Sequence, residues 1–331
     1  MTELDTTQRE IETLREAIER LRHGIGRTFL GQEEVTELLI LCLLADGHAL
    51  LEGAPGLGKT TLVRCLATNL ALGFRRIQFT PDLMPADIIG TRMMEQEASG
   101  ARHFTFEPGP IFTNVLLADE INRATPRTQS ALLEAMQEHQ VTVFGETRRL
   151  EEPFLVIATQ NPIEMEGTYP LPEAQLDRFL FKIELAMPDR EGLGRILAAT
   201  TGAPPPAPAE PCLGREELLC MRGLVRQVPA SSEIIALISR LILATHPSSD
   251  AAPDRIKRFV RYGASPRGGQ AILLGARARA LVHGRLHVNE DDVRTLCGPA
   301  LRHRLILGYE GEASGVHPDE LILDALEAAR T

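Results

Sequence analysis

The chain has 331 residues, 44% hydrophobic and 24% charged, with 35 basic against 45 acidic side chains and a net charge of −10. That length is enough for two domains, and the acidic balance disfavours a constitutive grip on a nucleic-acid backbone, which requires a basic face. No apolar run reaches the ~18 residues a membrane helix needs, and the polar, acidic start with Glu3, Asp5 and Glu10 is unlike a secretory signal, so a cytoplasmic protein is expected. The five cysteines form no C-x-x-C pair and the nine histidines no H-E-x-x-H pattern. Reduced, mostly buried thiols are therefore expected, and no protein-built zinc site.

In chain order, residues 6–24 carry Ile11, Leu14, Ile18 and Leu21 on one helical face. From about residue 31 to 187, β-rich runs alternate with helical stretches. Strands are predicted at 48–52, 76–80, 115–118, 154–159 and 179–185, and helices at 59–70 and 125–137, the second with Pro126 at its first position. Continuous apolar strands between helices predict an α/β fold with a parallel sheet covered on both faces. Two alternating runs around a polar turn with Gly100 predict a hairpin over 90–110, and a second is expected near 141–150 with its turn at Gly145-Glu146-Thr147. Residues 202–211 read as an extended proline-rich connector. Beyond it the sequence is all-helical: 232–244, 266–282 behind a Ser265 cap, a helix capped by Asn289 that ends near Gly298-Pro299, and 318–329. Two domains are expected, an α/β core over 1–188 and a smaller helical domain over 189–331.

The segment Gly53-Ala54-Pro55-Gly56-Leu57-Gly58-Lys59-Thr60-Thr61 contains G-x-x-x-x-G-K-[ST] between a predicted strand and a predicted helix. Glycines let the backbone curl so that its N–H groups face phosphates, and the helix start adds a positive end. Lys59 would reach the β/γ-phosphates of ATP, and the Thr60 hydroxyl would hold Mg²⁺. The apolar run 115–118 ends in Asp119-Glu120. Asp119 is placed to hold the metal's water shell and Glu120 to orient and deprotonate an attacking water. Asn161 follows the apolar run 154–158. Carboxyl ends of strands converge on the ligand in a doubly wound sheet, so Asn161 can position that water.

This order, continued by Leu176-Asp177-Arg178-Phe179 and Ser265-Pro266-Arg267-Gly268, resembles the AAA+ ATPases. More narrowly it is similar to the MoxR family of the helix-2-insert group, through Glu120-Ile-Asn-Arg-Ala124, the run 129–137 and the long run 158–179. The resemblance covers the chain from about Arg27 to its end. It implies a P-loop AAA+ domain followed by a helical lid, with Lys59 and Thr60 as Walker A, Asp119 and Glu120 as Walker B and Asn161 as sensor 1. It further implies Arg178 as an arginine finger serving the neighbouring subunit's ATP, Arg267 as sensor 2, and Gly31-Gln32 near adenine. The hairpin over 90–110 falls where the family's insert is expected, meeting a partner or lining a pore. An arginine fork matches the charge spread over a γ-phosphate in flight. Arg267 also stands in the first turn of its helix, where the dipole disfavours a cation unless an anion is near. Arg123 and Arg127 are further candidates for intersubunit contacts.

The resemblance implies an ATP-hydrolysing ring motor, expected to be a hexamer, that remodels or activates a protein client. A partner with a von Willebrand factor A domain is implied by the family alone. A magnesium-chelatase-like motor subunit is an alternative, as is a nucleotide-dependent assembly switch with little turnover. A nucleic-acid translocase of the minichromosome-maintenance kind fits the acidic balance poorly, and a small-molecule kinase fits Arg178 and Arg267 poorly.

Overall fold

The run Val115–Asp119 is buried along its whole length, and Leu155–Gln160 is buried in all but its last residue. Strands apolar on both faces belong inside a sheet that is covered twice. A computed structural model describes residues 3–96, 102–162, 167–201 and 211–330. It begins with α1 (Glu3–Gly26), α2 (Glu33–Leu44), β1 (Ala49–Glu52), α3 (Lys59–Asn69), β2 (Phe74–Gln78), α4 (Pro85–Ile89), β3 (Gly90–Gln96) and β4 (Arg102–Pro108). There follow β5 (Val115–Asp119), a 3-10 turn over Ile121–Arg123, α5 (Pro126–Glu138), β6 (Gln140–Val143), β7 (Glu146–Arg149), β8 (Leu155–Gln160), α6 (Glu173–Leu176) and β9 (Phe181–Glu184). The remainder is α7 (Arg190–Thr201), α8 (Arg215–Gln227), α9 (Ser232–Ala244), α10 (Asp254–Phe259), β10 (Val260–Tyr262), α11 (Pro266–Val282), α12 (Glu290–Leu301), β11 (Ile306–Leu307), α13 (Tyr309–Ser314) and α14 (Pro318–Arg330).

The central sheet has five parallel strands in the order β2-β5-β8-β1-β9. The period of two divides its side chains between two apolar layers. Val115, Leu117, Leu155 and Ile157 join the layer of α1, α2, α3 and the C-terminal helices, while Leu116, Ala118, Val156 and Ala158 face α5. The first layer runs without a break from Leu14 of α1 to Ala329 of α14. A buried arginine fastens it: Arg222 of α8 donates from Nε to the Leu43 carbonyl at 2.9 Å and forms an ion pair with Asp46. Among the described residues no single helix is long and apolar enough to cross a membrane.

Several expectations are corrected. The second hairpin turns one residue earlier than expected, at Phe144-Gly145, because Val143 pairs with Glu146. Both turn residues have positive φ, 51° and 82°, the geometry that matches strand twist in a two-residue hairpin. The Arg92 guanidinium lies 5.3 Å from the exposed Phe144 ring, and Arg92 also pairs with Glu146 at 2.8 Å, so this hairpin leans on β3 and β4. Helix α12 runs past Gly298-Pro299 to Leu301, since Ala300 and Leu301 are both fully buried and their packing outweighs the missing N–H of Pro299. The C-terminal part is not purely helical: β10 and β11 form a short antiparallel ribbon. Cys42 and Cys297 are buried, but Cys65 and Cys212 are half-buried and Cys220 is exposed. The side chain of Ile11, the turn around Gly100 (97–101), residues 163–166 of the long family-like run and nearly all of the proline-rich connector (202–210) lie outside the described residues.

His48, just before β1, is buried against α5 and β8. Its Nδ1 accepts from the Val156 N–H at 3.0 Å, which leaves the proton on Nε2 for the Met136 carbonyl at 2.9 Å. Burial pushes its pKa from 6.5 down to about 4, and burial drives His303 the same way. A histidine whose folded pKa is depressed takes its proton first in the unfolded chain, so stability is full above pH 6.5 and is lost as pH falls towards about 4. For His48 alone the loss amounts to about 3 kcal/mol. Urea unfolding across that interval is expected to follow this slope, and His48→Gln to flatten it; an unchanged slope in the variant would remove His48 as its source.

Candidate functional site

The loop from Gly53 to Gly58 joins β1 to α3. It turns through Gly56 and Gly58, at φ 85° and 82°, and a Cβ on Gly58 would stand 3.2 Å from the Phe29 ring. Only glycine takes that conformation without cost. Pro55, Gly56, Gly58, Lys59, Thr60 and Thr61 face Asp119, Glu120 and Asn161 across a cavity of about 350 Å³. Gly53, Ala54 and Leu57 belong to the same loop but not to that wall. Leu57 packs into the core, and a Cβ on Gly53 would meet Leu185 at 3.0 Å. Lys59 Nζ donates to the Gly53 carbonyl at 2.6 Å and the Gln160 carbonyl at 3.2 Å, which draws the ammonium across the loop.

Asp119 is 7% exposed. Its Oδ1 accepts from Thr159 Oγ1 at 2.6 Å, and its Oδ2 from Arg76 Nε and Nη2 at 3.0 and 2.7 Å. Thr60 Oγ1 lies 3.5 Å from the same Oδ2. Glu120 stands at φ 56°, a left-handed conformation that only the surrounding bonds can hold. Its N–H donates to Thr159 Oγ1 at 2.8 Å. Its Oε2 accepts from Gln78 Nε2 at 2.7 Å and pairs with Arg123 Nε at 3.2 Å. Arg123 is therefore engaged by the acid of its own chain, while Arg127 is exposed. Asn161 is buried at the end of β8, on the wall beside Glu120.

Arg76, Gln78 and Thr159 were not anticipated. Gln78 is in register with Asp119, and alternation puts Arg76 on the same face as Gln78. Two polar residues at i and i+2 in Phe74–Gln78 were the available signal, but it becomes readable only once β2 is known to neighbour β5.

The donor set fits a divalent cation with a polyphosphate. Thr60, in the first turn of α3, and Asp119 offer hard oxygen ligands in the cavity that Lys59 also lines. Gln32 lines a separate hollow with Gly31, Glu184, Ala186, Met187 and Pro188. Its Nε2 donates to the Ala186 carbonyl at 3.2 Å, and its Oε1 is buried without a partner.

Arg178 and Arg267 do not stand on the wall of the phosphate-loop cavity. They line a different hollow of about 260 Å³ with Gly47, His48, His139, Asp177 and Arg304. β1 and β9 are parallel, with Ala49 opposite Phe181 and Glu52 opposite Glu184. Arg178 and His48 precede the amino ends of these strands, and the phosphate loop follows the carboxyl end of β1. Four residues of strand, about 13 Å, separate the two edges. Arg178 Nη1 donates to the Leu133 carbonyl at 2.6 Å, and its Nε is buried with no partner. Arg267 is 44% exposed, with Nη1 3.9 Å from Asp177.

Two family models match the chain: the ATPase family associated with various cellular activities (AAA) over residues 48–181, and the AAA lid domain over 253–325. The chaperone MoxR1 of Mycobacterium tuberculosis is 43% identical over 303 residues, covering 92% of this chain and 79% of that protein. Protein MoxR of Methylorubrum extorquens is 30% identical over 332 residues, 89% of this chain and 90% of the other. A crystal structure of a presumed ATPase from Cytophaga hutchinsonii matches with a TM-score of 0.92 and 38% identity, over 99% of this chain and 98% of that one.

Lys59→Ala removes the cation of the loop. ATP affinity measured by calorimetry is expected to fall at least about tenfold, the loss of a charge-assisted bond, with the thermal melting of the protein little changed; retained affinity would count against Lys59 as a phosphate ligand.

Proposed function

The chain belongs to the MoxR family of AAA+ ATPases, and from that premise we propose that it hydrolyses ATP at sites shared between neighbouring subunits of a ring. The cycle would remodel or activate a protein client. The chaperone name of the Mycobacterium tuberculosis relative supports the client reading, and the family resemblance supports a hexamer and a partner with a von Willebrand factor A domain.

In this reading Lys59 neutralises the β/γ-phosphates, Gln32 meets the adenine, and Thr60 and Asp119 hold Mg²⁺, whose charge screens the phosphates when bound. Asn161 orients a water. Glu120 takes a proton from that water as its oxygen attacks the γ-phosphorus, and the bond to the β–γ bridging oxygen breaks, leaving ADP and phosphate. The charge on the γ-oxygens is met by Arg178 and Arg267 of the adjacent subunit.

The observation that carries the shared site is the position of the two arginines at the sheet edge opposite the phosphate loop. A chain whose own sheet separates fork from phosphate cannot bring them together, whereas a neighbour can. The exposure of Arg267 is consistent with a ligand that arrives from outside the chain.

Phosphate release per subunit is expected to rise with protein concentration as interfaces form. A measurable rate that stays flat while native mass reports a monomer would overturn the shared site, and no release at any concentration, with or without client, would favour the assembly switch. Glu120→Gln should retain ATP and stop turnover. Arg178→Ala should also stop turnover, by about 10³-fold for a lost finger, yet activity should partly return when the two variants are mixed.

A further inference from the structure

Arg304 follows α12 and is buried, with a side chain 3% exposed. A guanidinium has five N–H donors in a fixed fork, and here each bond can be named. Nε donates to Asp177 Oδ1 at 2.7 Å. Nη2 donates to the carbonyls of Asp177 and Phe179 at 2.8 and 2.7 Å. Nη1 donates to the Leu180 carbonyl at 3.3 Å and to the Ala300 carbonyl. Four of the five bonds thus reach the segment 177–180, on both sides of Arg178. His303 adds a ring nitrogen 3.1 Å from the same Phe179 carbonyl.

Asp177 binds a second group. Its two oxygens accept from Ser265 Oγ at 3.0 and 3.1 Å. Ser265 is the cap of α11, and its Oγ also accepts the Arg267 N–H at 3.2 Å. One carboxylate therefore ties the backbone beside Arg178 to the helix start that bears Arg267, and Arg304 is its buried counter-charge. The packing leaves no slack: a Cβ on Gly268, next to Arg267, would meet Leu301 at 2.7 Å and the stem of Arg304 at 3.2 Å.

We propose that Asp177, braced by Arg304 and bonded to Ser265, is a positioning residue that holds Arg178 and Arg267 as one unit for presentation to the adjacent subunit's nucleotide. This rests on the shared-site reading above. Neither Asp177 nor Arg304 would touch ATP. Their effect would be on the fork that the neighbour receives, while the phosphate loop of their own chain stays intact.

The test is subunit mixing with Asp177→Ala in the full-length protein. Alone, the variant is expected to bind a fluorescent ATP analogue as the parent does, to keep its KM, and to lose about 100-fold in kcat, the cost of a misplaced group of about 1 Å. Mixed with Glu120→Gln subunits it should regain activity, because those subunits supply a correctly held fork to its intact acid. Arg178→Ala mixed with Glu120→Gln is the control. If the control recovers but Asp177→Ala does not, or if Asp177→Ala has lost nucleotide binding, the residue is merely structural and the proposal fails while the shared site stands. If neither mixture recovers under verified exchange of subunits, the shared site falls and the proposal with it. Should Asp177→Ala not fold, Ser265→Ala replaces it, with a loss of about tenfold for one hydrogen bond to a charged group and the same recovery on mixing; no loss, or no recovery, overturns the proposal.

Discussion

The Asp119 carboxylate is nearly inaccessible, and a buried charge survives only where the surroundings supply its hydrogen bonds. Its donors come from both sheet neighbours of β5: Arg76 from β2 and Thr159 from β8. The Thr159 hydroxyl that donates to Asp119 also accepts the Glu120 N–H. One threonine therefore fixes the Asp119 carboxylate and the left-handed backbone that aims the next acid into the cavity. The strand order is what makes this work. With a different neighbour on either side, the same Asp119-Glu120 pair would end a strand with an unpaired charge.

Local chemistry was legible in the sequence and long-range chemistry was not. The phosphate loop, the paired acids and Asn161 are each set by spacing within a few residues, and the structure brings them to one cavity. The parallel sheet followed from continuous apolar strands between helices. Arg76 and Thr159 escaped notice because their roles exist only once β2, β5 and β8 are adjacent. Arg304 escaped for a stronger reason, since its partner Asp177 is 127 residues away. The overrun of α12 has the same origin. Gly298-Pro299 is a sound local stop signal, but the helix continues because burial of Ala300 and Leu301 positions Arg304 beneath the Arg178 segment.

Arg267 lies away from the phosphate-loop cavity of its own chain. It shares a hollow with Arg178 at the far edge of the sheet. A swing of α11 would be needed to bring Arg267 to the phosphate loop of its own chain. The apolar layer argues against it, because that layer passes from α1 and α2 into α8, α9, α11, α12 and α14 with no seam. Moving α11 to the phosphate loop would expose much of that layer, at about 25 cal/mol for each Å² of apolar surface uncovered. It would also break the Arg222–Asp46 pair and the contacts of Arg304.

The rigid sheet then becomes a ruler. Strands β1 and β9 hold a phosphate-binding edge and an arginine-bearing edge a fixed distance apart within every copy of the chain. A heterologous contact joins unlike patches of successive subunits, and closes into a ring when the rotation permits. In the proposed shared site, phosphate loop to arginine edge would be such a contact. A nucleotide lying between the two edges would bear on the same strand pair that sets the opposite edge, since β1 leads into the loop and β9 leaves the Arg178 segment. Strain at one interface would reach the next through four residues of hydrogen-bonded strand rather than through a flexible joint.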